Sequence, residues 1–160
     1  MATCPNDKAV LLGSGVVLEV AAGCADTVPL EASWSRLGQL TTKSVDWSPN
    51  TVTSDSDANG GYVASYVTNA DLTISCEGEM EKVDSAEFFG VGNLMAYLNT
   101  EIKARRQPTM WVRLIGSPQA ITAYMVITAF SFDGGTNDIV TFSAEFKVAD
   151  SDTVSIEETV

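Results

Sequence analysis

Three carboxylates, Glu77, Glu79 and Glu81, stand two residues apart near the middle of the chain. On extended backbone that spacing is about 6.5–7 Å, within the range that separates the acid and base of an inverting glycosidase. Such chemistry needs one carboxyl desolvated, so that it keeps its proton near neutral pH. Here the row continues as Asp71, Thr73 and Ser75, polar throughout, and offers no apolar pocket. Histidine is absent, which removes Ser-His-Asp and Cys-His catalysis along with the commonest transition-metal ligand. A second cluster, Asp55-x-Asp57-x-Asn59-Gly60, opens like an EF-hand calcium loop, but its twelfth position is Tyr66 where a bidentate Glu belongs. Gly90-x-Gly92 lacks the third glycine and the βαβ setting of a dinucleotide site. The residues point away from an enzyme, a metal centre or a bound cofactor, with calcium at Asp55–Gly60 as the open alternative.

The glutamate row belongs to a long strand. From Asn69 to Glu81 the even positions Ala70, Leu72, Ile74, Cys76 and Met80 are apolar, with a gap at Gly78, and the odd positions are all polar. That period of two gives one greasy and one wet face. Like charges aligned on the wet face add nothing to packing, so they point to a use outside the fold.

At 160 residues, 45% hydrophobic and 19% charged, the chain is expected to form one globular domain. Its formal net charge of −12 excludes a nucleic-acid grip by counterion release. Cys4, Cys24 and Cys76 form no C-x-x-C pair and read as free thiols, Cys76 in the core, with a Cys4–Cys24 bridge as the alternative. The apolar run Ala9–Ala22 before Gly23-Cys24 imitates a lipoprotein signal. Gly13-Ser14-Gly15 and Glu19 interrupt it, so the expectation is an N-terminal arm (1–15) and a first strand over Val16–Val20. No run is long enough to span a bilayer as a helix.

Further along, Trp34–Trp47 reads as extended chain anchored by Leu37, Leu40, Val45 and Trp47. Ser48–Gly61 is rich in turn formers, including Ser48, Asn50, Asp55, Asp57, Asn59, Gly60 and Gly61, and is expected to be one long loop. The organising strand follows, from Tyr62 to Val83. Asp84 or Ser85 can cap a helical turn, with Glu87 closing a box from Asp84. A helix is predicted from about Asn93 to Arg106, with Val91, Leu94, Met95, Leu98 and Ile102 on one face. Lys103, Arg105 and Arg106 at its end suit the helix dipole and offer a docking point for a neighbour's carboxylates. A strand over Met110–Ile115 and a hairpin of Ile121–Phe132 with Ile139–Val148, bulged near Ala129 or covered on both sides, complete the sheet. Residues 150–160 read as an acidic C-terminal arm. The sum is mainly β, an antiparallel β-sandwich or barrel with one flanking α-helix.

The sequence resembles a long-tailed bacteriophage major tail tube protein over roughly Trp34 to Ala149. The residues that carry it are K-S-V-D-W-S-P-N-T-V-T-S-D-S-D-A-N-G-G, A-D-L-T-I-S-C-E-G-E-M-E, the F-F-G-V-G-N-L-M-A-Y-L region and I-V-T-F-S-A-E-F, in that order. The resemblance implies a structural virion protein of the tail, assembled in the host cytoplasm. Its hexameric rings would stack into a tube that conducts double-stranded DNA without binding it. It implies partners in further copies of itself and in other tail proteins at the tube ends. By position, Asp71, Thr73, Ser75, Glu77, Glu79 and Glu81 would line the bore, and 48–61 would reach the next ring. The alternatives are the inner tube of a contractile tail or secretion machine, and a monomeric calcium-binding β-sandwich module.

Overall fold

The computed structural model describes residues 10–56 and 60–158. In chain order the elements are β1 (Val17–Ala21), β2 (Ser35–Arg36), β3 (Gln39–Ser54), β4 (Ala64–Glu79), helix α1 (Val91–Lys103), β5 (Thr109–Ile115), β6 (Gln119–Asp133), β7 (Thr141–Val148) and β8 (Ser155–Glu158). The strands pair antiparallel in the order β2-β1-β5-β6-β7-β4-β3, and β8 pairs the start of β6. The two ends of that order, β2 and β3, are neighbours in the chain, separated by Leu37 and Gly38 alone. One stretch of backbone therefore joins the first edge to the last, and the sheet curls around a closed interior. Gly38 turns the corner at φ +48, a left-handed conformation that glycine adopts without a Cβ clash.

Alternate residues of each strand fill the interior: Leu18 and Val20, Val112 and Leu114, Ala123 and Met125, Ala144 and Phe146, Ile74 and Cys76. Each large apolar side chain buried there contributes roughly 1.5–3 kcal/mol. Burial pushes the Cys76 thiol up to about 12, so it stays protonated and acts as a small core residue. The gap in the β4 alternation has a steric cause. Gly78 faces inward and is buried, and a Cβ there would meet the Gln39 carbonyl oxygen at 2.3 Å.

The mainly β reading with one helix holds, and several boundaries move. Residues 48–54 are strand, so the expected 48–61 loop shrinks to the tip between β3 and β4. Main-chain pairing across fifteen registered partners, from Gln39↔Glu79 to Ser54↔Ala64, holds this hairpin far beyond the core. Such pairing leaves no apolar period to read. Asp84 does cap a helix, accepting from the Gly92 and Asn93 N–H groups at 3.1 and 2.9 Å. The helix it caps is α1 itself, starting at Val91, and the Glu87 N–H donates to Ser85 Oγ instead of forming the box. α1 stops at Lys103, short of Arg106, because Arg105 turns left-handed at φ 56. The register slip between Ile127 and Ala129 is the expected bulge in β6. Part of the C-terminal segment is strand: β8 pairs residues Gln119–Thr122.

Candidate functional site

The wet face of β4 does not stand alone. Its registers set Thr73, Ser75, Glu77 and Glu79 beside Lys147, Glu145, Ser143 and Thr141 of β7. On the other side lie Asp46, Ser44, Thr42 and Gln39 of β3. Beyond β7, the bulge in β6 turns Ala129, Ser131 and Asp133 to the same side. Four neighbouring strands thus present one surface of hydroxyls and carboxylates. The acids on it are Asp46, Asp71, Glu77, Glu79, Asp133 and Glu145, against Lys147 as the cation that the registers place there. Hydroxyls tie the strands across the face: Ser131 and Ser143 lie 2.8 Å apart, and the Thr128 hydroxyl donates to Glu145 Oε1 at 3.0 Å. Lys43, by contrast, pairs with Cys76 on the inward side and donates to the Val16 carbonyl at 2.6 Å.

Five of the six residues named for the row lie on β4 within this surface; Glu81 comes after the strand ends. β4 leaves the sheet at Glu79, where the Met80 N–H donates to the Val140 carbonyl. Glu81 then folds back, accepting from Gln39 Nε2 and, at 3.3 Å, from the Ser85 N–H. It fastens the turn after the strand.

Further out, β4 loses its second neighbour. The pairing with β7 covers Thr73–Glu79 only, so from Asp71 outward β3 and β4 form a projecting two-stranded ribbon. None of residues 64–71 is buried. Ser48 and Asn50 belong to this ribbon and not to a loop; Asn50 Nδ2 donates to Asn69 Oδ1 at 2.7 Å. A slip between Asn50 and Thr51 leaves Thr68 without a registered partner, its hydroxyl donating to the Asn50 carbonyl at 3.1 Å, and moves Tyr66 onto the wet side beside Val52. Asp55, Gly60 and Gly61 form the tip, both glycines at positive φ. Asp57 and Asn59 lie outside the described residues, and so does the middle of the calcium motif. Among the described residues, no three His, Cys, Asp or Glu side chains group closely enough to hold a metal ion.

The three cations after α1 differ in circumstance. Arg106 is paired with Glu101 of its own chain through two bonds of 3.0 and 2.9 Å, which raises its pKa and lowers that of Glu101. Lys103 and Arg105 are exposed and make no salt bridge among the described residues.

One cluster escaped the sequence reading. On the outer face of β1 and β5, Arg113 donates to Glu19 Oε2 and to both oxygens of Glu31, and its guanidinium stacks 4.5 Å over Trp34. With Trp111 Nε1 donating to the Cys24 carbonyl at 3.0 Å, these contacts strap residues 22–34 across the sheet. The signal was present: Glu19 and Arg113 are lone opposite charges in two apolar strands.

No known protein-family model matches this sequence, and no curated protein does. The fold is a different matter. A chain in the tail of an empty gene transfer agent particle, refined helically with C6 symmetry, superposes with a TM-score of 0.64 at 13% identity, over 94% of this chain and 100% of that one. The tail tube of SPP1 gives 0.58 at 10% identity, over 94% and 81%. The fold is shared with these tail structures. A chain of the anti-feeding prophage baseplate shares it as well, with a TM-score of 0.59 at 6% identity over 89% and 92%. In this chain the fold places the acidic surface on one continuous sheet and the ribbon beyond it.

Proposed function

We propose that this chain is a major tail tube subunit, a structural virion protein without catalysis, whose hexameric rings stack into a channel for double-stranded DNA. The observation that carries the reading is the carboxylate-rich face spread over β6, β7, β4 and β3 on a fold shared with tail tube structures. Placed around a bore, Asp71, Thr73, Ser75, Glu77 and Glu79 keep phosphates from settling. Lysine rings would instead collect phosphate contacts and hold the duplex more tightly with each one. Carboxylates act across the screening length of about 8 Å, so the wall repels at short range and lets DNA slide. The C6 symmetry of the gene transfer agent tail supports six subunits per ring. Other tail proteins would close the tube at its ends.

A second reading, the inner tube of a contractile injection device, draws support from the likeness to the prophage baseplate chain. The acidic wall favours nucleic acid as the cargo in either case. Electron microscopy of the purified chain at rising concentration tests the proposal. Filaments with a central channel and sixfold end views are expected; isolated globules under every assembly condition would remove it.

A further inference from the structure

The ribbon and its tip carry five large apolar side chains in the open: Val52, Tyr62, Val63, Tyr66 and Val67. A two-stranded hairpin with nothing behind it is marginal in water, so side chains of this kind at its end call for a cover. Its charge has one sign only. From Ser44 to Glu81 there is no Lys or Arg, and among the described residues the exposed charge at the tip is Asp55.

Elsewhere the same subunit leaves the opposite kind of surface uncovered. Between α1 and the end of β6 lies an open groove of about 400 Å³, lined by Met95, Leu98, Asn99, Ile102, Phe130 and Phe132. Ile102 and Phe132 are 59% and 55% exposed although they belong to apolar faces. Lys103 and Arg105 follow Ile102 by one and three residues and make no salt bridge among the described residues. With Arg106 they put three of the chain's nine cations into four residues.

We propose that the ribbon tip, through Val52, Tyr62, Tyr66 and Asp55, seats in the α1–β6 groove of a second copy of this chain. The aromatic and aliphatic groups fill the groove, and the Asp55 carboxylate meets Lys103 and Arg105 at its rim. A second copy is the favoured occupant because one sequence supplies both halves: apolar with anionic on one surface, apolar with cationic on the other. The two surfaces are different patches, so the contact is head-to-tail and propagates from copy to copy without closing on itself. This inference rests on the stacked-tube reading and names the surface that receives the ribbon.

The test uses paired cysteines, Tyr62→Cys with Ile102→Cys, in full-length chain carrying Cys4→Ser and Cys24→Ser. Oxidation after assembly is expected to give a ladder of covalent multimers, absent from either single variant and from dilute subunits. In parallel, Lys103→Glu with Arg105→Glu is expected to raise the concentration needed for assembly several-fold, and Asp55→Lys added to that pair to bring it back toward the original. Tubes seen by electron microscopy with neither the ladder nor the rescue would overturn the docking and leave the tube reading intact. A ladder formed instead between Leu11→Cys and Ile102→Cys would assign the groove to the N-terminal segment, and would equally overturn it. Failure of the unaltered chain to form tubes would sink the tube reading first.

Discussion

β4 is a single strand with two unlike halves. From Leu72 to Glu79 it has β3 on one side, β7 on the other and the interior behind it, and Leu72, Ile74, Cys76 and Gly78 are buried. From Ala64 to Asp71 it has β3 alone, and nothing there is buried. The ladder to β3 runs through both halves, and the inner half adds a second ladder to β7. The layer behind differs as well, so one half is held by packing and two neighbours and the other by a single main-chain pairing that only becomes secure when something covers it. The inner half can present a fixed row of charge, and the outer half is free to find a partner.

The largest effect that separates the halves is a core truncation. Phe146→Ala removes a fully buried ring beside Ile74 and is expected to cost about 3–5 kcal/mol in denaturant unfolding. Tyr66→Ala on the ribbon, 61% exposed, is expected to change the isolated subunit by no more than roughly 0.5 kcal/mol. Equal losses for the two would mean that the ribbon folds back onto its own subunit. Next in size is Gly78→Ala. The added methyl would press on the Gln39 backbone and the Phe142 ring, and a loss of about 1–3 kcal/mol is expected. A neutral result there would show that β3 is free to shift over the inner half.

The same division decides what the sequence reveals. Behind the inner half, burial imposes a period of two, and Leu72, Ile74 and Cys76 announce the strand, its inward face and the polar row opposite. Pairing without a core leaves no such period. Thr51-Val52-Thr53-Ser54 satisfied the turn-rich reading as well as it satisfies the strand it forms. The row itself was legible up to Glu79, while the capture of Glu81 by Gln39 depends on where the chain leaves the sheet, which no spacing encodes. The helix face was legible too. Met95 and Ile102 lie on it as the period demands, but the period cannot say that the subunit buries Val91 and Leu94, half-buries Leu98 and leaves Met95 and Ile102 exposed.

A third experiment sharpens the comparison at the level of function. Glu77→Lys with Glu79→Lys changes only exposed or half-buried wet-face positions of the inner half, so the subunit is expected to fold and tubes to form. On the proposed tube reading, DNA delivery is expected to fall by roughly tenfold or more, because each ring would gain cations facing the phosphates. The drop should be smaller at high salt. Normal infectivity of phage with this pair of changes would place these carboxylates away from the path of the DNA.

The smallest expected effect lies in the strap over β1 and β5, which tests whether an exposed segment can be held by charge where the ribbon is not. Arg113 bonds Glu31 and holds its carboxyl below the usual value of 4.5. A depressed folded-state pKa means that the unfolded chain binds the proton more readily. The contribution of Glu31 is therefore fully present above the ordinary carboxylate range and is lost as pH falls through the depressed value. Glu31 is open to solvent, so the contribution is small and screened. In thermal melts at low salt, the wild type is expected to exceed Glu31→Gln slightly at pH 7, and the gap is expected to close as the pH drops below about 4. Arg113→Met should remove the gap at every pH, since it deletes the partner of both forms. No gap at pH 7 would mean that the strap is held by Trp34 and Trp111 packing, with Glu31 a bystander.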